Sequence, residues 1–157
     1  MLDHIHHLSE EEKNLVLQAP VYVSLLIAGA DGHVQLEEQQ RILELVHTKT
    51  FSEQYELRAL YAELDHDLAA HLRQMLVSLP ENTEERQDML SGLLQRLNLI
   101  FPQLEKHFAR QLFKSLREFA HYIAHADGGF WGISAVSDAE RQWIKLPMLE
   151  EPFKDQD

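Results

Sequence analysis

Residues 21–30, Val-Tyr-Val-Ser-Leu-Leu-Ile-Ala-Gly-Ala, are apolar nearly all the way round a helical wheel. A helix with apolar side chains on every face is stable in water only when other elements cover all of it. The segment therefore predicts a central buried helix, for which the rest of the chain must supply the cover. No apolar run approaches the roughly 20 residues that span a bilayer, so no membrane insertion is expected.

The remaining punctuation is also helical. Ser9-Glu10-Glu11-Glu12 reads as a capping box opening a helix to about Gln18, where Pro20 is expected to break it and start the buried one. Gly32 should end that second helix. A helix over 36–48 carries Ile42, Leu45 and Val46 on one face. Ser52 is expected to cap a segment to about Leu64, and Asp65 or Asp67 to begin the next, to Leu79. Thr83 should cap a helix bearing Met89, Leu90, Leu93, Leu94 and Leu97, closed by Pro102. A long helix is predicted over 103–126, with Leu112, Leu116, Phe119, Ala120 and Ile123 at helical spacing. Ser137-Asp138-Ala139-Glu140 is a second capping box, opening a short helix to about Leu146 near Trp143 and Ile144, and the tail 148–157 is expected to be loosely ordered. No apolar–polar alternation is long enough for a strand. The prediction is an all-α, compact single domain of seven or eight helices. A chain of 157 residues can bury roughly 70% of its unfolded surface in one such core.

Charge and cysteine content narrow the function. There are 26 acidic residues against 14 basic ones, a formal net charge of −12. That surface repels phosphate backbones, so no nucleic-acid partner is expected; cations or a basic partner suit it better. There is no cysteine, which excludes thiolate catalysis, disulfides and cysteine-bound zinc. The N-terminus lacks the basic-then-apolar order of a signal peptide, and a cytoplasmic protein is expected.

One pattern occurs twice. Residues 23–32, ending Ala30-Asp31-Gly32, align with 119–128, ending Ala126-Asp127-Gly128, at a constant offset of 96. After a six-residue insertion the match resumes, with Val34 to Glu38 against Val136 to Glu140, and Ile42 against Ile144. The repeat units thus cover about 20–48 and 116–146. Glycine is natural at a helix end, but aspartate there faces the negative end of the helix dipole. Something positive should offset it. Turns that bring Asp31 to Glu37 or Glu38, and Asp127 to Glu140, would make oxygen-rich pockets suited to Ca²⁺ or Mg²⁺. The same residues also have a purely structural explanation, as Asp-Gly turns and capping glutamates. Neither loop is an EF-hand.

An apolar helix ending Ala-Asp-Gly, then an aliphatic residue and a Glu-bearing helix start, twice in a helical chain, resembles the TerB-like family, named for a tellurite-resistance protein. The resemblance spans nearly the whole chain, with its specific part in residues 21–46 and 119–146. It implies a compact helical fold with pseudo-twofold organisation and a divalent-cation site at Asp31, Glu38, Asp127 and Glu140, with Glu37 as a substitute. It also implies association with stress or tellurite resistance and no established catalysis. The insertion 129–135 departs from the family pattern and puts the pairing of Glu140 with Asp127 in doubt.

Other candidates are local. His121 and His125, four apart, could share a zinc or other transition metal, and with the motif acids they define an alternative reading as a metal-dependent hydrolase. His4, His6 and His7 sit in a terminus expected to be mobile. Asp65-His66-Asp67 offers charge without a nucleophile, and no phosphate loop or nucleophile elbow occurs. The sequence therefore predicts a non-enzymatic domain. Phe130 and Trp131, flanked by glycines in the insertion, are candidate contacts for a protein partner. Covering the core is their alternative role.

Overall fold

The computed structural model describes residues 2–30, 32–51, 55–126 and 138–156. These residues are helical throughout, with no strand among them: α1 (Glu10–Ala28), α2 (Leu36–Lys49), α3 (Tyr55–Asp65), α4 (Leu68–Ser78), α5 (Thr83–Gln95), α6 (Leu97–Ile100), a 3₁₀ turn (Phe101–Gln103), α7 (Lys106–Ala126) and α8 (Asp138–Arg141). No described helix is long and apolar enough to cross a membrane.

Helix α1 is the axis of the fold. It packs against α2, α3, α5, α6 and α7, and Val16, Ala19, Val21, Val23, Leu25 and Ile27 are all sealed from solvent. The capping box at Ser9 is present, with Glu12 N–H donating to Ser9 Oγ at 3.1 Å and Ser9 N–H to Glu12 Oε1 at 3.0 Å. The expected break at Pro20 does not occur: one helix runs through it. An interior proline removes a backbone hydrogen bond and crowds the preceding turn, at about 3 kcal/mol. Breaking the helix here would strand several buried backbone groups, a larger penalty than one missing bond. Ser24 Oγ, itself buried, donates to the Pro20 carbonyl at 2.8 Å.

The other helices cover α1 with single apolar faces. Ile42, Leu45 and Val46 of α2, and Leu57, Leu60, Tyr61 and Leu64 of α3, point inward. The start of α5 is capped by Asn82 rather than Thr83, with Glu85 N–H donating to Asn82 Oδ1 at 3.0 Å. Helix α7 begins later than its apolar spacing suggests because the Glu105 carboxylate accepts from His107 N–H and Phe108 N–H, each at 2.9 Å. Those bonds hold the Glu105 carboxyl below its usual pKa of 4.5. Helix α8 ends at Arg141 rather than near Leu146, and Trp143 lies in the turns that follow, packed against the core. The expected caps Ser52 and Ser137 lie outside the described residues.

Both described ends are tied to residues 98–110, against the expectation of loose termini. His4 stacks on Phe108 at 4.5 Å, and His7 Nε2 donates to the Gln103 carbonyl at 2.7 Å. In the tail, Leu149 and Pro152 are buried. Asn98 Nδ2 donates to the Met148 carbonyl at 2.9 Å, Asn98 Oδ1 accepts from Glu150 N–H, and Arg110 donates to the carbonyls of Phe153 and Gln156.

A side-chain polar pair joins α3 and α7 within the core. Tyr61 OH and Ser115 Oγ, both sealed from solvent, hydrogen bond to each other across α3 and α7. Burial drives the phenol pKa upward, so the hydroxyl stays neutral.

Two outcomes follow. Ser115→Ala, which orphans a buried phenol, should cost about 1–3 kcal/mol in denaturant unfolding, and adding Tyr61→Phe should recover part of that loss. Glu105→Ala should cost about 1 kcal/mol at neutral pH. Because the folded-state pKa of Glu105 is lowered, its contribution is present above the unfolded value. It disappears as pH falls through the folded one, so the gap between variant and parent should close in acid.

Candidate functional site

The first repeated motif lies at the carboxyl end of α1. Gly29 caps the helix with φ −91° and ψ 6°, its N–H donating to the Leu25 carbonyl at 2.9 Å. The helix thus stops at Ala28, earlier than the expected end at Gly32, while Gly32 itself has a positive φ of 139° in the turn beyond. Only glycine adopts that conformation readily.

The cap and the turn that follow α1 are met by Arg86 from the first turns of α5. Arg86 Nη2 donates to the Gly29 carbonyl at 2.8 Å and also to the Gly32 carbonyl, while Gln87 Nε2 reaches the Ala30 carbonyl at 3.4 Å. Arg86 is only 6% exposed. A buried guanidinium is tolerated when its donors are matched, and the negative end of a helix is a favourable place for it. The contact is close: a Cβ on Gly29 would stand 3.0 Å from the Leu25 carbonyl oxygen and 3.1 Å from Arg86 Nη2. Glycine is thus needed at position 29 for space and at position 32 for backbone conformation.

The motif acids are only partly visible. Asp31 and Asp127 lie outside the described residues, as do Phe130 and Trp131 of the insertion. Glu38 is buried at the start of α2, where its Oε1 accepts from Gln35 N–H at 2.9 Å. Glu37 beside it is exposed. Glu140 is 3% exposed in α8, and its carbonyl accepts from Trp143 N–H and Ile144 N–H, each at 3.0 Å. Among the described residues no three His, Asp or Glu side chains come together in a metal-holding group.

His121 and His125 do share a face of α7. Their rings stack at 5.6 Å with planes 13° apart, and His125 Nδ1 donates to the His121 carbonyl at 2.7 Å. One nitrogen of the pair is thereby committed to the backbone. Asp67 precedes α4 in a left-handed conformation, with φ 58°, and makes no side-chain cap. His66 Nε2 lies 3.4 Å from its carboxylate. Exposed aromatics occur where the sequence reading did not look for them: Phe51 and Tyr55 are 74% and 75% exposed around the α2–α3 connection.

Comparison of the chain with family models, with curated proteins and with solved structures found no match. The functional argument therefore rests on the residues themselves.

Sequence reasoning missed Arg86. A demand for positive charge at the Asp-Gly helix end was legible, but its source, more than fifty residues downstream in a Glu-rich helix start, was not. Arg86→Ala should cost about 2–3 kcal/mol, since it removes charged donors from the Gly29 and Gly32 carbonyls and leaves a void where a buried side chain stood. Arg86→Lys should restore only part, because an ammonium lacks the planar fork that spans two acceptors. Urea unfolding with an unchanged m-value checks both.

Proposed function

We propose that this chain is a non-catalytic helical domain of the kind its TerB-like resemblance implies, working by docking a protein partner, with its first Asp-Gly helix end serving a structural purpose. The observation that carries this reading is Arg86. Its guanidinium sits beside the negative end of α1 and donates to the carbonyls of the cap residue Gly29 and of Gly32 in the turn that follows, so a positive charge from the chain itself already stands at the motif. The stress association comes with the family resemblance. Phe130 and Trp131 remain sequence candidates for partner contacts, and the exposed Phe51 and Tyr55 add a second aromatic surface.

A second reading keeps the repeated acids, Asp31, Glu37, Glu38, Asp127 and Glu140, as a divalent-cation site for Ca²⁺ or Mg²⁺. What favours it is that Glu38 and Glu140, at equivalent positions of the two repeats, are both buried carboxylates. Buried carboxylates need compensation, and a hard cation supplies it.

Thermal unfolding of metal-free protein with added Ca²⁺, Mg²⁺, Mn²⁺ or Zn²⁺ separates the two. The protein-binding reading expects no ion to raise the midpoint beyond an ionic-strength control, in the parent or in Asp31→Ala and Asp127→Ala. The cation reading expects about 2.7 kcal/mol of added stability at 100 times the dissociation constant. That gain should vanish in either variant.

A further inference from the structure

Helix α7 carries a charge opposite to that of the chain. It holds Lys106, Arg110, Lys114 and Arg117 against the single acid Glu118, in a chain whose formal net charge is −12. The spacing of Arg110, Lys114, Arg117 and His121 sets them along one stripe of the helix. With Phe113 they line a groove of about 420 Å³. The Arg117 guanidinium lies 4.8 Å from the centre of the Phe113 ring, which gives the groove an apolar wall under a cationic rim. Two carboxylates also face it. Glu118 is bonded to Lys49 Nζ at 3.0 Å, and Glu151 enters from the tail.

The chain's own tail, 150–156, lies at one end of the stripe, held by its backbone, with Arg110 donating to the main-chain carbonyls of Phe153 and Gln156. Beyond it Lys114, Arg117 and His121 remain exposed.

We propose that the groove along α7 docks an acidic peptide segment of a partner protein, with an apolar side chain set against the aliphatic stems of the arginines that cover Phe113. The partner's carboxylates meet Lys114 and Arg117. Charge complementarity selects the partner, and the arginine stems supply apolar contact area. The inference rests on the protein-binding reading above and adds to it the site and the chemistry of the partner. From Arg110 to Arg117 and on to His121 the stripe is only about 16 Å long. Glu118 and Glu151 also line it, in a chain of net charge −12. A short acidic segment fits a stripe of that length, whereas a long polyanion would have to extend past it.

The test uses two labelled sixteen-residue peptides followed by fluorescence anisotropy: one rich in Glu and Asp with Phe and Leu four apart, the other with every acid replaced by Lys. Bulk electrostatics in this acidic chain favours the Lys peptide; the groove predicts the reverse, with the acidic peptide bound at least tenfold tighter. Lys114→Glu with Arg117→Glu should weaken that binding tenfold or more while the melting temperature holds. Arg73→Glu with Gln74→Glu, which adds comparable negative charge on exposed positions of α4 outside the groove lining, should leave it unchanged. The proposal is overturned if the Lys peptide binds as well, if the α7 variant binds normally, or if the α4 substitutions weaken binding equally. It is also overturned if phosphatidylglycerol vesicles bind through Lys114 and Arg117 while the acidic peptide does not. If the groove fails but a random peptide display library still enriches binders that depend on Trp131 or Tyr55, the protein-binding reading stands without it. If the library enriches nothing, both fall.

Discussion

Covering α1 on every side is the constraint from which the other arrangements follow. A helix with an all-round apolar surface needs neighbours on all faces, and α2, α3, α5, α6 and α7 provide them. Each of these can then be amphipathic and leave a polar face to water. The same enclosure explains why α1 passes through Pro20, since an interior break would expose backbone groups to a core that cannot hydrogen bond them.

Enclosure has an electrostatic side. The carboxyl end of a buried helix brings unsatisfied carbonyls and a partial negative charge inward. Arg86 answers both needs with one planar group, and Gly29 gives it room to approach. The arginine is therefore both a folding contact and an electrostatic lid. At the first copy of the motif it places a positive charge beside a helix end.

Much of the fold could be read locally. The helical period of the apolar residues placed α2, α3, α5 and α7 within a few residues, because burial decides which positions must be apolar. Boundaries set by a single side chain were harder. Asn82 was missed in favour of Thr83, and Glu105 was overlooked because a carboxylate ahead of a helix has many other uses. The errors at Pro20 and at both termini share a cause: local preference was overruled by contacts distant in sequence, such as the packing of α5 and α7 on α1 and His7 on Gln103. The candidate site was less legible than the fold. Helical spacing put His121 and His125 on one face, yet could not say that the rings would stack on each other. Nor could it show that the basic residues of α7 would frame a groove beside the acidic tail.

The order of elements along the chain gives the buried helix a further consequence, felt during synthesis. Helix α1 is made before the helices that cover it, and two of its main partners, α5 and α7, begin only at Thr83 and Lys106. At about 5–20 residues per second, its apolar surface waits several seconds for that cover. Until α7 has cleared the ribosome, the most apolar segment of the chain is also its least protected.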